Sequence, residues 1–167
     1  MTLIVADAGP LRYLVLIEAI DVLPALYDRV SVPPAVLREL SHPSAPPAVQ
    51  AWSRSLPKWV AIRTPAVPHG ADELGPGESE AIALALELRA DAVLIDEIEG
   101  RRAALTLGLK IRGTVGILEM ASERGLLDLE RTFEKLGATN FRIDPSFLAA
   151  AIARHRASVH RDPGMRP

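Results

Sequence analysis

A chain of 167 residues and 18.0 kDa, 49% hydrophobic and 24% charged, is long enough for one domain with a real core and too apolar to be disordered over most of its length. Its formal net charge of -2 supplies no global positive field for nucleic acid, so any such contact must be local. With no cysteine, disulfides, thiolate nucleophiles and cysteine-bound metals are excluded, and a reducing compartment, the cytoplasm, is the expected location.

Leu3-Ile4-Val5-Ala6 is a short apolar run without polar alternation, as in a strand buried on both faces of a parallel sheet, and Asp7 ends it. It is too short for a signal peptide or membrane span. Pro10 suits the first turn of a helix carrying Leu11, Leu14, Val15 and Glu18, with a shorter helix over Val22 to Tyr27. Val30 to Val32 reads as a second strand, and Pro33-Pro34 sets up a helix from Ala35 to Leu40. A helix from Pro47 to about Ser55 and a strand over Trp59 to Ile62 follow, then a loop from Arg63 to Pro76 rich in proline and glycine.

Gly77-Glu78-Ser79-Glu80 opens the strongest helix, in which Ala81, Ile82, Ala85, Leu88 and Arg89 keep the spacing of one face. Glu87, Arg89 and Asp91 interrupt the apolar stretch from Ala81 to Ile95, so no membrane insertion is expected. Ala92 to Ile95 is a second buried strand ended by Asp96-Glu97. A helix over Arg101 to Leu107, a strand over Leu109 to Arg112 and a helix from Thr114 to about Gly125 complete the alternation. Later helices are expected at Asp128 to Leu136 and Pro145 to Arg156. The expected architecture is a three-layer α/β/α sandwich with a mainly parallel sheet of four or five strands: one domain over 1–157, then a polar, frayed tail at 158–167.

In open parallel sheets the loops after the carboxyl ends of the strands converge on a crevice, and Asp7 and Asp96 both occupy that position. Two aspartates about 4 Å apart repel by about 4 kcal/mol at the effective dielectric of a protein surface, a penalty that a divalent cation removes. Oxygen ligands of this kind suit Mg²⁺ or Mn²⁺, one ion or two, acting on a phosphodiester. The ordinary reading of each aspartate alone is a turn-former or helix cap.

Glu78 stands in the first turn of its helix, where the dipole alone favours a carboxylate. It shares a face with Ala81, Ile82 and Ala85 and so points inward, whereas Glu80 aligns with Leu84 and Glu87 on a more exposed side. Glu78 is therefore the preferred third acid and Glu80 the reserve. Glu97 and Glu99 offer further carboxylates beside Asp96, for a second ion or simply to solvate the loop. Glu39 sits at the margin of its helix's apolar stripe, where a solvated glutamate is the ordinary reading. Arg101, Arg102, Lys110 and Arg112 form a basic segment that either contacts phosphate or keeps the surface soluble. His42, His69, His155 and His160 lack metal-ligand spacing, and Trp52 and Trp59 read as packing residues.

Asp7-Ala8-Gly9-Pro10-Leu11, Val32-Pro33-Pro34-Ala35-Val36-Leu37-Arg38-Glu39-Leu40, Gly77-Glu78-Ser79-Glu80-Ala81-Ile82, Leu94-Ile95-Asp96-Glu97 and Gly113-Thr114-Val115-Gly116-Ile117-Leu118 occur in the order seen in PIN-domain proteins. The chain resembles that family over residues 3–125 and is most similar to a branch related to VapC-like toxins. The resemblance implies that Asp7, Glu39, Glu78 and Asp96 line a Mg²⁺- or Mn²⁺-dependent site that hydrolyses single-stranded RNA, with Thr114 orienting a ligand or water. The third acid of many members is an aspartate at a helix start, and here Glu78 or Glu80 fills that place. A small antitoxin as partner and a homodimer are further implications.

Two other readings compete. A phosphatase or receiver-type domain also begins with an acid after its first strand, but Gly9 stands where a dehalogenase-like site has its second aspartate, and Asp7 has no adjacent acidic partner. An inactive PIN-like module that only binds protein or RNA is the other. A dinucleotide site is excluded by the lack of a G-x-G-x-x-G or Walker motif, and Pro10 removes an amide from the turn that would hold phosphate.

Overall fold

The computed structural model describes residues 1–67 and 73–160. Its elements, in chain order, are β1 (Leu3–Ala6), α1 (Ala8–Leu16), α2 (Val22–Leu26), β2 (Arg29–Val32), α3 (Pro34–Leu40), α4 (Pro47–Arg54), β3 (Val60–Ile62), α5 (Pro76–Glu87), β4 (Ala92–Leu94), α6 (Ile98–Thr106), β5 (Ile111–Arg112), α7 (Thr114–Glu123), α8 (Leu129–Gly137) and α9 (Pro145–His160). The five strands form one parallel sheet in the order β3-β2-β1-β4-β5, flanked by helices, so the fold is α/β as the alternation of patterns requires. Within the chain, residues Met1–Thr114 form one compact unit and a second begins at Val115.

Burial explains the sheet. β1 and β4 lie at its centre, and Ile4, Val5, Val93 and Leu94 are each 0% exposed, which is why these strands carry no polar alternation. Val5, Val93 and Ile95 pack with Ala81, Ile82, Leu84 and Ala85 of α5 and Ala104 of α6. By strand alternation, Ile4 and Ala6 face the other layer. Connections leave β1 towards β2 and β3 on one side, then return past it to β4 and β5. Right-handed crossovers in these two directions place helices on both faces, and the reversal falls between β1 and β4. Register pairs Ala6 with Leu94, and the Asp7 N–H donates to the Leu94 carbonyl at 2.9 Å. The first residues after both strands are thereby fixed side by side.

Several boundaries differ from the sequence expectation. Glu18 and Arg89 lie beyond α1 and α5, with φ of 59° and 49°. The amides of Ala19 and Ala90 reach back to Leu14 and Ala85 and close each helix with a left-handed residue, although no glycine marks the stop. α6 begins at Ile98 rather than Arg101, because Glu97 is already extended and serves as its N-cap. β5 is only Ile111–Arg112: Leu109 is still engaged by the Ala104 carbonyl in the turn that ends α6, where Gly108 has φ of 78°. α9 extends to His160, so Ser158 is helical rather than part of a frayed tail. The part of the expected loop and tail at 68–72 and 161–167, including His69, lies outside the described residues.

The unit from Val115 onward has its own organisation. Asp128 caps α8 by accepting from the Arg131 N–H at 2.9 Å, and Leu129, Phe133 and Leu136 form the buried stripe of that helix. Arg154 pairs with Glu119 and Arg156 with Glu130, both at 2.6 Å. Among the described residues no helix is long and apolar enough to cross a membrane.

Candidate active site

At the reversal point between β1 and β4 lies a cavity of about 530 Å³ lined by Asp7, Glu39, Glu73, Glu78, Glu97 and Glu99, with Arg12 and Tyr13 from α1. Each acid arrives by a different route. Asp7 ends β1 and occupies the N-cap position of α1, yet its side chain makes no capping bond, so helix capping does not account for it. It is 4% exposed. Its Oδ1 is buried with no hydrogen-bond partner among the described residues.

Glu39 and Glu78 are set by two helices that cap one another. The Gly77 N–H at the start of α5 donates to Glu39 Oε1 of α3 at 3.0 Å, and the Ala35 N–H at the start of α3 donates to Glu80 Oε2 of α5 at 2.8 Å. Each helix so satisfies an otherwise unpartnered amide of the other. Glycine leaves room for this approach, since a β-carbon on Gly77 would push the Glu39 carboxylate aside. Glu78 accepts from the Gly75 N–H at 3.3 Å, the reach-back half of a capping box that Gly75, lacking a side chain, cannot complete. Its other oxygen, Oε1, is buried without a partner among the described residues, and a β-carbon on Gly100 of α6 would come within 2.8 Å of it.

Asp96, half-buried after β4, is held differently. The Thr114 N–H donates to its Oδ1 at 2.8 Å and the Thr114 hydroxyl to its Oδ2 at 2.6 Å. Thr114 is 0% exposed, so both of these hydrogen bonds to the carboxylate come from a buried residue.

The electrostatics report the crowding. Burial pushes Asp7 from 3.8 up to about 7, the Ala8 amide pulls it partly back, and the charges of Glu39, Glu78 and Asp96 push it up again. Burial also raises Glu39, opposed by the Gly77 amide and the charge of Arg38. Glu78 is raised by burial, lowered by the Gly75 amide, and raised by Glu97, Glu39 and Glu99. Asp96 is raised by burial against the opposing pull of Thr114 and Arg101, with Glu97 raising it.

These acids fit a hard divalent cation. Ionised carboxylates only accept, so the partnerless oxygens of Asp7 and Glu78 lack the donor or cation that burial demands. Asp7, Glu78 and Asp96 supply oxygen donors of the required chemistry. Among the described residues no group of three or more His, Cys, Asp or Glu side chains stands in metal-binding geometry.

The remaining sequence candidates are placed as follows. Glu97 and Glu99 line the cavity, Glu99 also pairing with Arg102 at 3.2 Å. Glu80 does not line it: besides capping α3, it approaches Arg38 at 3.6 Å. Glu80→Ala is therefore expected to cost about 1 kcal/mol in denaturant unfolding while leaving metal binding within a few-fold of wild type, and Glu78→Ala to show the reverse. Matching losses of metal affinity in both variants would count against the distinction. None of Arg101, Arg102 and Arg112 lines the cavity: the Arg101 guanidinium donates to the Ile95 carbonyl at 3.0 Å, and Arg112 is exposed on β5. Sequence reasoning missed Arg12. Its spacing from Ala8 was the available signal, since residues four apart on α1 share a face.

Comparison with known proteins bears on the family and the fold. No curated protein matches the chain. A structure of a PilT N-terminus domain protein from the hyperthermophilic archaeon Sulfolobus solfataricus is similar at 16% identity with a TM-score of 0.53, covering 72% of this chain and 93% of that one, a likeness of fold. A family model described as PIN domain matches residues 3–157. Nearly the whole chain is thus accounted for by one family, whose fold the parallel sheet reproduces: this protein belongs to the PIN-domain family.

Proposed function

We propose that the chain is a divalent-metal-dependent endoribonuclease that hydrolyses phosphodiester bonds of single-stranded RNA. The observation that carries the reading is the pair of buried, partnerless carboxylate oxygens, Asp7 Oδ1 and Glu78 Oε1, of two residues that line one cavity, with Asp96 near enough for its charge to raise Asp7. Asp7, Glu78 and Asp96 would hold Mg²⁺ or Mn²⁺, one ion or two, and the cation supplies Lewis acidity towards the phosphodiester and neutralises the acids. Thr114 keeps the Asp96 oxygens in one orientation. Glu39 stays fastened to Gly77, so it buttresses α5 while lining the cavity. Because Asp7 holds a proton up to about pH 7, loading the site releases that proton, and metal affinity is expected to rise with pH through neutrality.

Purified protein with Mn²⁺ is expected to cut a panel of single-stranded RNAs, and EDTA, Asp7→Asn and Asp96→Asn each to abolish the cutting. Equal cleavage by wild type and both variants would mean that the reading is wrong. By family kinship the reading extends to a cytoplasmic toxin, acting as a homodimer and silenced by a small antitoxin. Purification of the native complex, with the stoichiometry measured by light scattering, tests that extension.

A further inference from the structure

We propose that Arg12 is the residue through which the cavity grips its substrate, its guanidinium taking a non-bridging phosphate oxygen of the bound strand; this rests on the nuclease reading above. A wall of carboxylates repels a polyanion, so substrate binding needs a positive group at the same cavity. Arg12 is the one cation among the described residues that line it. Its Nε has no hydrogen-bond partner among the described residues, so no acceptor among them ties this nitrogen down.

The neighbouring arginines are otherwise engaged. Arg38 faces Glu80, Arg101 the Ile95 carbonyl, and Arg102 Glu99. Arg12 stands on α1 little more than one turn beyond Asp7, on the face that also presents Ala8 and Gly9 to the cavity. A phosphate held there lies beside the acids rather than among them. Tyr13, whose ring centroid is 5.9 Å from the guanidinium carbon, and Ile98, 70% exposed, add apolar surface at the same cavity. An arginine beside an aromatic, in a cavity that also presents an exposed aliphatic, suits a single strand, which offers a backbone phosphate and an unstacked base together.

The test is fluorescence anisotropy with a labelled single-stranded RNA oligonucleotide in Ca²⁺, repeated between about 50 and 200 mM KCl. Arg12→Ala is expected to weaken binding about 10-fold, as loss of one charge-assisted hydrogen bond implies. It should also reduce the slope of log affinity against log salt by about 0.7, as loss of one phosphate contact on a single strand does. Arg12→Lys should keep the slope and recover part of the affinity, and in Mn²⁺ cleavage the loss should fall on KM rather than kcat. If Arg12→Ala does not fold, Arg12→Gln against Arg12→Lys makes the same comparison, with thermal melting as the check. Unchanged affinity, or weaker binding with an unchanged slope, overturns the assignment while leaving metal-dependent cleavage intact. Absence of any metal-dependent cleavage by wild type overturns the nuclease reading instead, and the binding arm alone then decides Arg12.

Discussion

Asp7→Asn is expected to raise the thermal midpoint of the metal-free protein at pH 8 by several degrees while abolishing its cleavage of RNA. Asp7 is 4% exposed and its carboxyl is pushed up to about 7. The fold therefore favours the protonated form. Its contribution to stability is complete below 3.8, the unfolded value, declines as pH rises, and is gone above about 7. The whole swing corresponds to at most ~4 kcal/mol. An asparagine carries no charge and escapes it, so the variant should gain on wild type progressively from about pH 4 to 8, and the two should converge in acid. At about 2–4 °C per kcal/mol for a chain of this size, the gain is measurable. Mn²⁺ should restore wild type at pH 8 by occupying the site and leave Asp7→Asn unmoved. A variant that melts below wild type in EDTA at pH 8, or a difference that does not vary with pH, would show that Asp7 is not a strained, cation-seeking carboxylate.

The same comparison marks what the sequence discloses. Asp7 and Asp96 could be assigned to strand ends because β1 and β4 are apolar on both faces, and a run without alternation has a visible end. That their strands are neighbours could not be read from either run; it follows from the order in which five strands assemble. Helical periodicity separated Glu78 from Glu80, but it also assigned Leu84 to a more exposed side, and Leu84 is 1% exposed. α5 is covered almost all round, so its stripe underreports its burial, and Glu80 spends its charge on α3 rather than on solvent.

Contacts across long separations were the least legible. The Glu39 bond to Gly77 spans 38 residues and depends on a glycine whose role appears only when two helix starts meet. The basic segment at Arg101 and Arg102 looked suited to phosphate, but its charges are used locally, by a carbonyl and by Glu99. Arg12 was overlooked because the pattern of α1 is dominated by Leu11 and Leu14, and an isolated arginine there reads as surface.

The second large effect has the opposite sign in stability. Asp96 lies in the same acidic neighbourhood as Asp7, but both its oxygens are satisfied by Thr114, at 2.8 and 2.6 Å, so its carboxylate is a structural acceptor as well as a candidate metal ligand. Asp96→Ala should abolish cleavage and also strand the buried Thr114 hydroxyl and amide, at a cost of about 2–4 kcal/mol in urea unfolding, since hydrogen bonds to charged groups are the stronger kind. Asp96→Asn keeps one acceptor oxygen and should lose less stability but as much activity. Thr114→Val removes only the hydroxyl. It should leave Asp96 still less willing to ionise, because the hydroxyl is the largest influence pulling its pKa down, and so shift the rise of cleavage with pH to higher values. Should Asp96→Ala prove as stable as wild type, or Thr114→Val leave the pH profile in place, the threonine does not govern the carboxylate, and the orientation of Asp96 must come from the metal alone.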